Sequence, residues 1–439
     1  MNQEYLQNVI NDALTYARQQ GADAADAVIS SELGFSVSAR KADVEEVEYH
    51  QEQSFSISIY QQQRTTSVSS TELAPAAIRQ LIDKAMSMIR YTDQDVYAGL
   101  PDKSLLAMTY PDLGLFYEWS IDTEQAAQLA IQCEGVAQAQ DPRITDSEGA
   151  SVSTYTGMYV YGNTDGFNGG YKSSRHYISC GVVAKDKTDM QRDSEYTSAR
   201  NPDDLQDVSI IAKQAAAKAL QRLNPRQIKT QQCPVIFHAS EAKGLLSAFI
   251  SAISGGNLYR KTTFLLDYLN KPIFPEHVHI YQQPHLRGAS GSRPFDHEGV
   301  RTEYRDFVSS GRLQSYVLGS YSARRLGLQS TGNAGGVFNL TINTSDKNLQ
   351  QLLKEMGTGL LVTELIGQGV RIMTGDYSRG AAGFWVENGE IQYPVSEITI
   401  AGNLREMYQG LVAVGNDVDT RGNIRTGSIW INRMTIAGS

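Results

Sequence analysis

Cysteine is scarce: Cys133, Cys180 and Cys233 are the only three in 439 residues. An odd number at wide spacing excludes a disulfide framework and a CxxC metal knuckle, and buried free thiols in a reducing compartment are expected. No apolar stretch approaches the roughly 18 residues of a membrane span. The opening Met1-Asn2-Gln3-Glu4-Tyr5 has no basic or apolar run, so no signal peptide is expected. Positive charge is in deficit, with 39 Lys and Arg against 48 Asp and Glu and a net charge of -9. No Lys/Arg run and no basic stretch interleaved with aromatics is present, which argues against nucleic acid as the main ligand. The chain is expected to be cytoplasmic.

Several catalytic motifs are also missing. No GxxxxGK[ST] occurs, no GxGxxG follows a strand, and no GxSxG nucleophile elbow is present. The glycine-rich segments 332–336 and 367–369 lack phosphate-loop spacing and read as turns needing positive φ. The histidines are His50, His176, His238, His277, His279, His285 and His297, and no two are four or five residues apart. Neither HExxH nor HExxxH can therefore occur, and adjacent helical turns cannot offer two imidazoles to one ion. One cluster remains, Glu276-His277-Val278-His279 with His285 beyond Pro284. On a strand His277 and His279 would share a face, with His285 or Glu276 as a third ligand. The plainer reading is a surface strand between Pro275 and Pro284 with solvated histidines.

What is present has clear periodicity. Leu6, Val9, Ile10, Ala13, Leu14 and Ala17 have helical spacing over residues 3–20, and Gly21 stops the helix. Ser54 to Tyr60 alternates apolar and polar, which marks a half-buried antiparallel strand, with 44–49 and 65–70 as its neighbours. A helix starts at Pro75 and another near Asp122. Residues 92–120 read as irregular, residues 144–197 as strands with a turn at 163–166, and a helix follows over 208–223. Helix, meander, helix argues for an α+β fold. Asn224-Pro225-Arg226 is the candidate domain boundary: residues 1–226 form the α+β part, with a subdivision near 115, and residues 227–439 form a strand-rich domain with few helices. Its helices are placed at 240–253 and 349–356. Asn388-Gly389 between apolar residues is a strong hairpin signal. Val235-Ile236-Phe237 reads as a buried strand, followed by a helix capped by Ser240 with Glu241 in its first turn.

Longer strings carry a resemblance. Residues 255–267, 296–303, 320–328, 375–380, 385–389, 396–404 and 414–417, together with Arg90-Tyr91-Thr92, resemble the PmbA/TldD family on its PmbA (TldE) side over essentially the whole chain. The resemblance implies a two-subunit cytoplasmic metallopeptidase acting on unstructured peptides, in microcin maturation and antitoxin turnover. It also implies an older association with modulating DNA gyrase. In that family the TldD-type subunit carries HExxxH and a further cysteine ligand, and holds zinc.

Carried over position by position, the motif falls on Ser240, Glu241 and Leu245, and only Glu241 matches. The cysteine position falls near Thr426. A hydroxyl and an isobutyl group cannot replace imidazoles on zinc, and threonine is a poor substitute for thiolate. The resemblance therefore implies no cofactor in this chain, zinc in a TldD-type partner, and a partner-subunit role with an unstructured peptide added to a sheet edge. A homodimer is an option when the partner is absent. Two alternatives stand beside it: a protein-binding modulator of the gyrase type, and an autonomous metallohydrolase using His277, His279 and His285.

Overall fold

In the computed structural model, residues 2–187 and 189–438 are described. The first half runs α1 (Gln3–Gln19), β1 (Ala24–Arg40), β2 (Asp43–Gln61), β3 (Arg64–Ser70), α2 (Pro75–Ile89), α3 (Thr123–Gln138), β4 (Ile144–Asn163), β5 (Asn168–Asp186), β6 (Asp189–Ala199) and α4 (Val208–Gln221). Its strands form one antiparallel sheet in the order β3-β2-β1-β4-β5-β6. The subdivision expected near residue 115 is thus bridged by β1 pairing with β4.

The helices form where the sequence signals them. Asn2 caps α1, its side chain accepting from the Glu4 amide, and Leu6, Val9, Ile10, Ala13, Leu14 and Ala17 are its buried face. Asp122 and Gln125 form a capping box on α3. Helices α1 and α2 share a core with Ala25, Ala27, Ile29, Phe55, Ile57 and Ile59. Helices α3 and α4 pack on Val37, Ala39, Val152 and Val182. The buried β1 positions in both cores are odd-numbered, so all four helices lie on one face of the sheet. The opposite face carries Tyr159, Tyr161 and Tyr171, which pack on Phe295 of the second half.

Residues 43–61 form one strand, where the sequence suggests two. His50-Gln51-Glu52-Gln53 lacks apolar residues because this stretch is exposed, yet β1 pairs with it throughout. Strand β3 covers only Phe55–Gln61, so residues 43–54 keep an open edge on that side.

The second half adds β7 (Gln231–Phe237), α5 (Ala239–Ala252), α6 (Gly255–Tyr259), β8 (Ile280–Gln282), β9 (Arg305–Ser309), β10 (Arg312–Leu313) and α7 (Ser320–Leu326). There follow β11 (Leu340–Ile342), α8 (Leu349–Met356), β12 (Gly359–Ile366), β13 (Val370–Arg371), β14 (Asp376–Glu387), β15 (Glu390–Asn403), α9 (Leu404–Gln409), β16 (Leu411–Val414), β17 (Ile424–Arg425) and β18 (Ile429–Ala437). This is an α+β fold with a strand-rich second half. A seven-stranded sheet runs β12-β7-β18-β15-β14-β13, with β16 on β18, and a five-stranded sheet runs β10-β9-β8-β11-β17.

Val235, Ile236 and Phe237 of β7 are all fully buried. Val235 and Phe237 face the main core with α5, and Ile236 faces α8. A strand covered on both faces reads as a continuous apolar run, as this one does. Asn388 and Gly389, both at positive φ (54° and 77°), make the two-residue turn between β14 and β15.

The irregular segment 92–120 is strapped to the second half. Arg324 donates to the carbonyls of Tyr97, Gly99 and Leu100 at 2.6, 2.8 and 2.9 Å. Cys133, Cys180 and Cys233 are buried free thiols. Among the described residues, no helix is long and apolar enough to cross a membrane.

Candidate functional site

The positions singled out on the zinc pattern lie where β7 passes into α5. The turn is capped by His238, not by Ser240: the His238 Nδ1 accepts from the Ser240 amide at 3.3 Å and lies 2.9 Å from its hydroxyl. Helix α5 starts two residues earlier than a Ser240 cap would require, directly after the His238 amide makes the last bond to β12, at the Val362 carbonyl. Burial holds the His238 imidazole below its ordinary pKa, against the attraction of Asp417. A neutral ring with Nδ1 as acceptor suits a cap, and this ring nitrogen is occupied by it.

Glu241 lies in the first turn of α5. Burial raises its carboxyl above the usual range, against the pull of Lys243, the Ser240 hydroxyl and Arg379. Leu245 is 2% exposed and belongs to the main core, and the Tyr408 hydroxyl donates to its carbonyl at 2.9 Å. Thr426 is buried, its hydroxyl donating to the Gly427 carbonyl at 2.8 Å. Helix α5 is regular throughout. Five residues of α-helix turn through about 500°, so side chains at 240 and 245 point roughly 140° apart. With no donor on Leu245 and both hydroxyls engaged locally, these residues do not fit a zinc ion.

The loop after β16 is locked onto this corner. Ser428 accepts from the Ala239 amide at 3.1 Å and donates to Asp417 at 2.6 Å. Arg421 holds Asp419 through Nε and Nη2 at 2.9 and 3.0 Å. Its Nη1 reaches Glu195 of β6 at 2.6 Å and the Tyr196 carbonyl at 2.8 Å, and Lys218 of α4 completes the group at 2.7 Å from Glu195. This network joins the two halves of the molecule. Burial alone would raise Glu195 and Asp419, but their partners hold both carboxyls below the usual range.

Two groups beside Glu241 escaped the residue-by-residue reading. Tyr377 and Arg379 lie on β14, and the buried Tyr377 hydroxyl and Arg379 Nε have no hydrogen-bond partner among the described residues. Burial pushes the Tyr377 phenol up to about 12. Both residues lie in the 375–380 string that carried part of the resemblance, and their alternation on a strand was the available signal.

The alternative histidine cluster disperses. His277 lies in a turn and the strand begins only at Ile280, because the Val278 amide closes on the Pro275 carbonyl. His279 Nε2 pairs with Asp306 at 2.7 Å, and His285 Nε2 meets the Thr302 hydroxyl at 3.0 Å. Among the described residues, no three His, Cys, Asp or Glu side chains form a group able to hold a metal.

Three family models match in succession: the PmbA/TldA metallopeptidase domain 1 at residues 25–89, its central domain at 116–223 and its C-terminal domain at 230–438. The chain belongs to the PmbA/TldD metallopeptidase family. It is 48% identical over 433 residues to the metalloprotease PmbA of Escherichia coli O157:H7, covering 99% of this chain and 96% of that protein. A PmbA homologue of Haemophilus influenzae is 44% identical, covering 100% and 97% of the two chains. Among solved structures, a candidate modulator of DNA gyrase from Bacteroides thetaiotaomicron superposes with a TM-score of 0.93 at 29% identity, covering 98% of both chains. TldE of Thermococcus kodakarensis gives 0.82 at 19%, covering 98% of this chain and 100% of that one, a likeness of fold.

Proposed function

We propose that this PmbA/TldD-family chain is the metal-free subunit of a two-subunit metallopeptidase that cleaves unstructured peptides, the zinc residing in a TldD-type partner. One observation carries this reading. The family fold is intact, but the positions of the zinc ligands hold a capping-turn serine, a core leucine and a self-satisfied threonine. A general base such as Glu241 has no metal-bound water to deprotonate here, so the chain's own contribution is to bind and position the peptide. The open edge of β2 over residues 43–54 supplies free backbone donors and acceptors of the kind that strand addition uses. Its exposed Val44, Val47 and Tyr49 offer side-chain contacts beside that edge. A folded substrate has no free backbone to pair there, which accounts for selection of unstructured chains.

The test is reconstitution. The purified chain is mixed with a TldD-type subunit, and complex formation is followed by native mass spectrometry together with hydrolysis of a disordered peptide. A stoichiometric complex that gains activity over either chain supports the reading. No complex, with the zinc subunit fully active alone, contradicts it.

A further inference from the structure

The sequence scatters its arginines, but the fold gathers six of them. Between the helix-free face of the first sheet and the loops of the second half lies a cleft of about 810 Å³ lined by Arg175, Arg200, Arg287, Arg293, Arg421 and Arg425. Among the described residues, only Glu32 and Asp204 contribute carboxylates to that lining. Arg421 is already paired with Asp419 and Glu195. The other five form no ion pair among the described residues.

Arg200 is held by the carbonyls of Ala289, Ser174 and Ser290, and Arg293 by the Tyr171 hydroxyl. Burial, then the neighbouring Arg293, push the Arg200 guanidinium down to about 10, which still leaves it cationic at neutral pH. Like charges gathered without counter-ions oppose folding, in a protein whose net charge is -9. An anion entering the cleft would relieve that repulsion.

The surrounding backbone indicates what kind of anion. Strand β6 is an edge of its sheet, and its Ser194 and Tyr196 carbonyls accept from Lys218 and Arg421 on the open side. Ser198, two residues on, has the same orientation and lines the cleft. A free strand edge beside spaced guanidiniums suits a polypeptide bearing carboxylates. The two resident carboxylates and the negative net charge disfavour a continuous polyanion such as a nucleic acid.

We propose that this cleft binds the carboxylates of an extended acidic peptide, with Arg175, Arg287 and Arg425 as the ligating guanidiniums and the β6 edge at Ser198 as backbone partner. Guanidinium forks match carboxylates in two-point geometry. The proposal rests on the partner-subunit reading only for calling that peptide a substrate. The binding is measured on this chain alone, so the two can fail separately.

The experiment follows fluorescence anisotropy of a short labelled Gly/Ser peptide carrying three spaced glutamates. Comparison probes are its Glu-to-Gln counterpart, both peptides with amidated C-termini, and a single-stranded DNA oligonucleotide. Arg175, Arg287 and Arg425 donate no side-chain hydrogen bond to the described residues, and removing their charges relieves the repulsion in the cleft, so the R175Q/R287Q/R425Q variant is expected to melt no lower than the parent. The acidic peptide is expected to bind, more weakly as salt rises, and the variant to lose at least about tenfold in affinity. If binding instead survives Glu-to-Gln exchange but falls on amidation, the C-terminal carboxylate is the bound group and the proposal holds for it. Equal binding of the neutral amidated peptide, preferential binding of the oligonucleotide, no binding at all, or unchanged binding by the variant would overturn it.

Discussion

Arg421 reaches Glu195 across the boundary between the two halves of the molecule, at 2.6 Å, while gripping Asp419 beside it. Glu195 has a side chain only 10% exposed and Arg421 28%. Removing the guanidinium leaves two acids in a partly desolvated site. Arg421→Met should destabilise the chain by about 2 kcal/mol, less than for a fully buried pair because the arginine retains some solvent. The pH dependence follows from the sign. Glu195 and Asp419 titrate in the folded state below their ordinary values of 4.5 and 3.8. Their contribution is complete above about 4.5 and is lost as pH falls through the lower folded values. Denaturant titrations at pH 7 and pH 3.5 should show the difference between parent and variant shrinking at the lower pH.

Asp26 behaves oppositely. Burial raises its carboxyl to about 7, against the hydrogen bond donated by Tyr60, and Glu298 adds to the rise. A folded-state pKa above the unfolded one favours folding at low pH, and that stabilisation is lost as pH rises through about 7. Asp26→Asn keeps an acceptor for Tyr60 without the charge. Thermal melts should find it several degrees more stable than the parent at pH 8.5, with the gap narrowing below about pH 7 and closing only as pH falls below about 3.8.

Installing the missing ligands should not create a zinc site. Leu245→His puts an imidazole into the main core and should lose roughly 2–4 kcal/mol. The triple variant S240H/L245H/T426C should not recover stability on adding zinc, because a regular α5 points 240 and 245 apart. Calorimetric melts with and without the ion check this, and a large zinc-dependent stabilisation would show that α5 can rearrange.

On the β2 edge, Val47 and Tyr49 are 42% and 75% exposed. Val47→Asp with Tyr49→Asp should leave stability within about 1 kcal/mol, since exposed substitutions away from special features are mild. In the reconstituted peptidase the same pair should raise KM for a disordered peptide more than it lowers kcat. Unchanged kinetics would remove this edge from the substrate path.

Local chemistry made much of the fold legible. The alternation of Phe55, Ile57 and Ile59, the apolar face of α1 and the Asn388-Gly389 turn each depend on neighbours in sequence, and each is found as expected. The continuity of β2 was hidden because its exposed half has no apolar alternation and is specified by β1. The His277-His279 strand failed because Pro275 starts a turn that residue spacing does not reveal. His238 replaced Ser240 as the cap because a tertiary bond to Val362 fixes where α5 begins. Carrying the family's zinc motif over position by position located the α5 corner, but the arginine cleft draws on arginines from 175 to 425 and is visible only once the sheets are assembled.

The central claim is that this chain supports peptide hydrolysis without holding the metal. It is tested most directly by measuring cleavage of a disordered peptide by the chain alone, by a TldD-type subunit alone, and by the mixture, each with and without a chelator. Activity that appears in the mixture, disappears with the chelator and is absent from this chain alone is the predicted result. Chelator-sensitive cleavage by this chain alone, with contaminating peptidase excluded, would contradict the account.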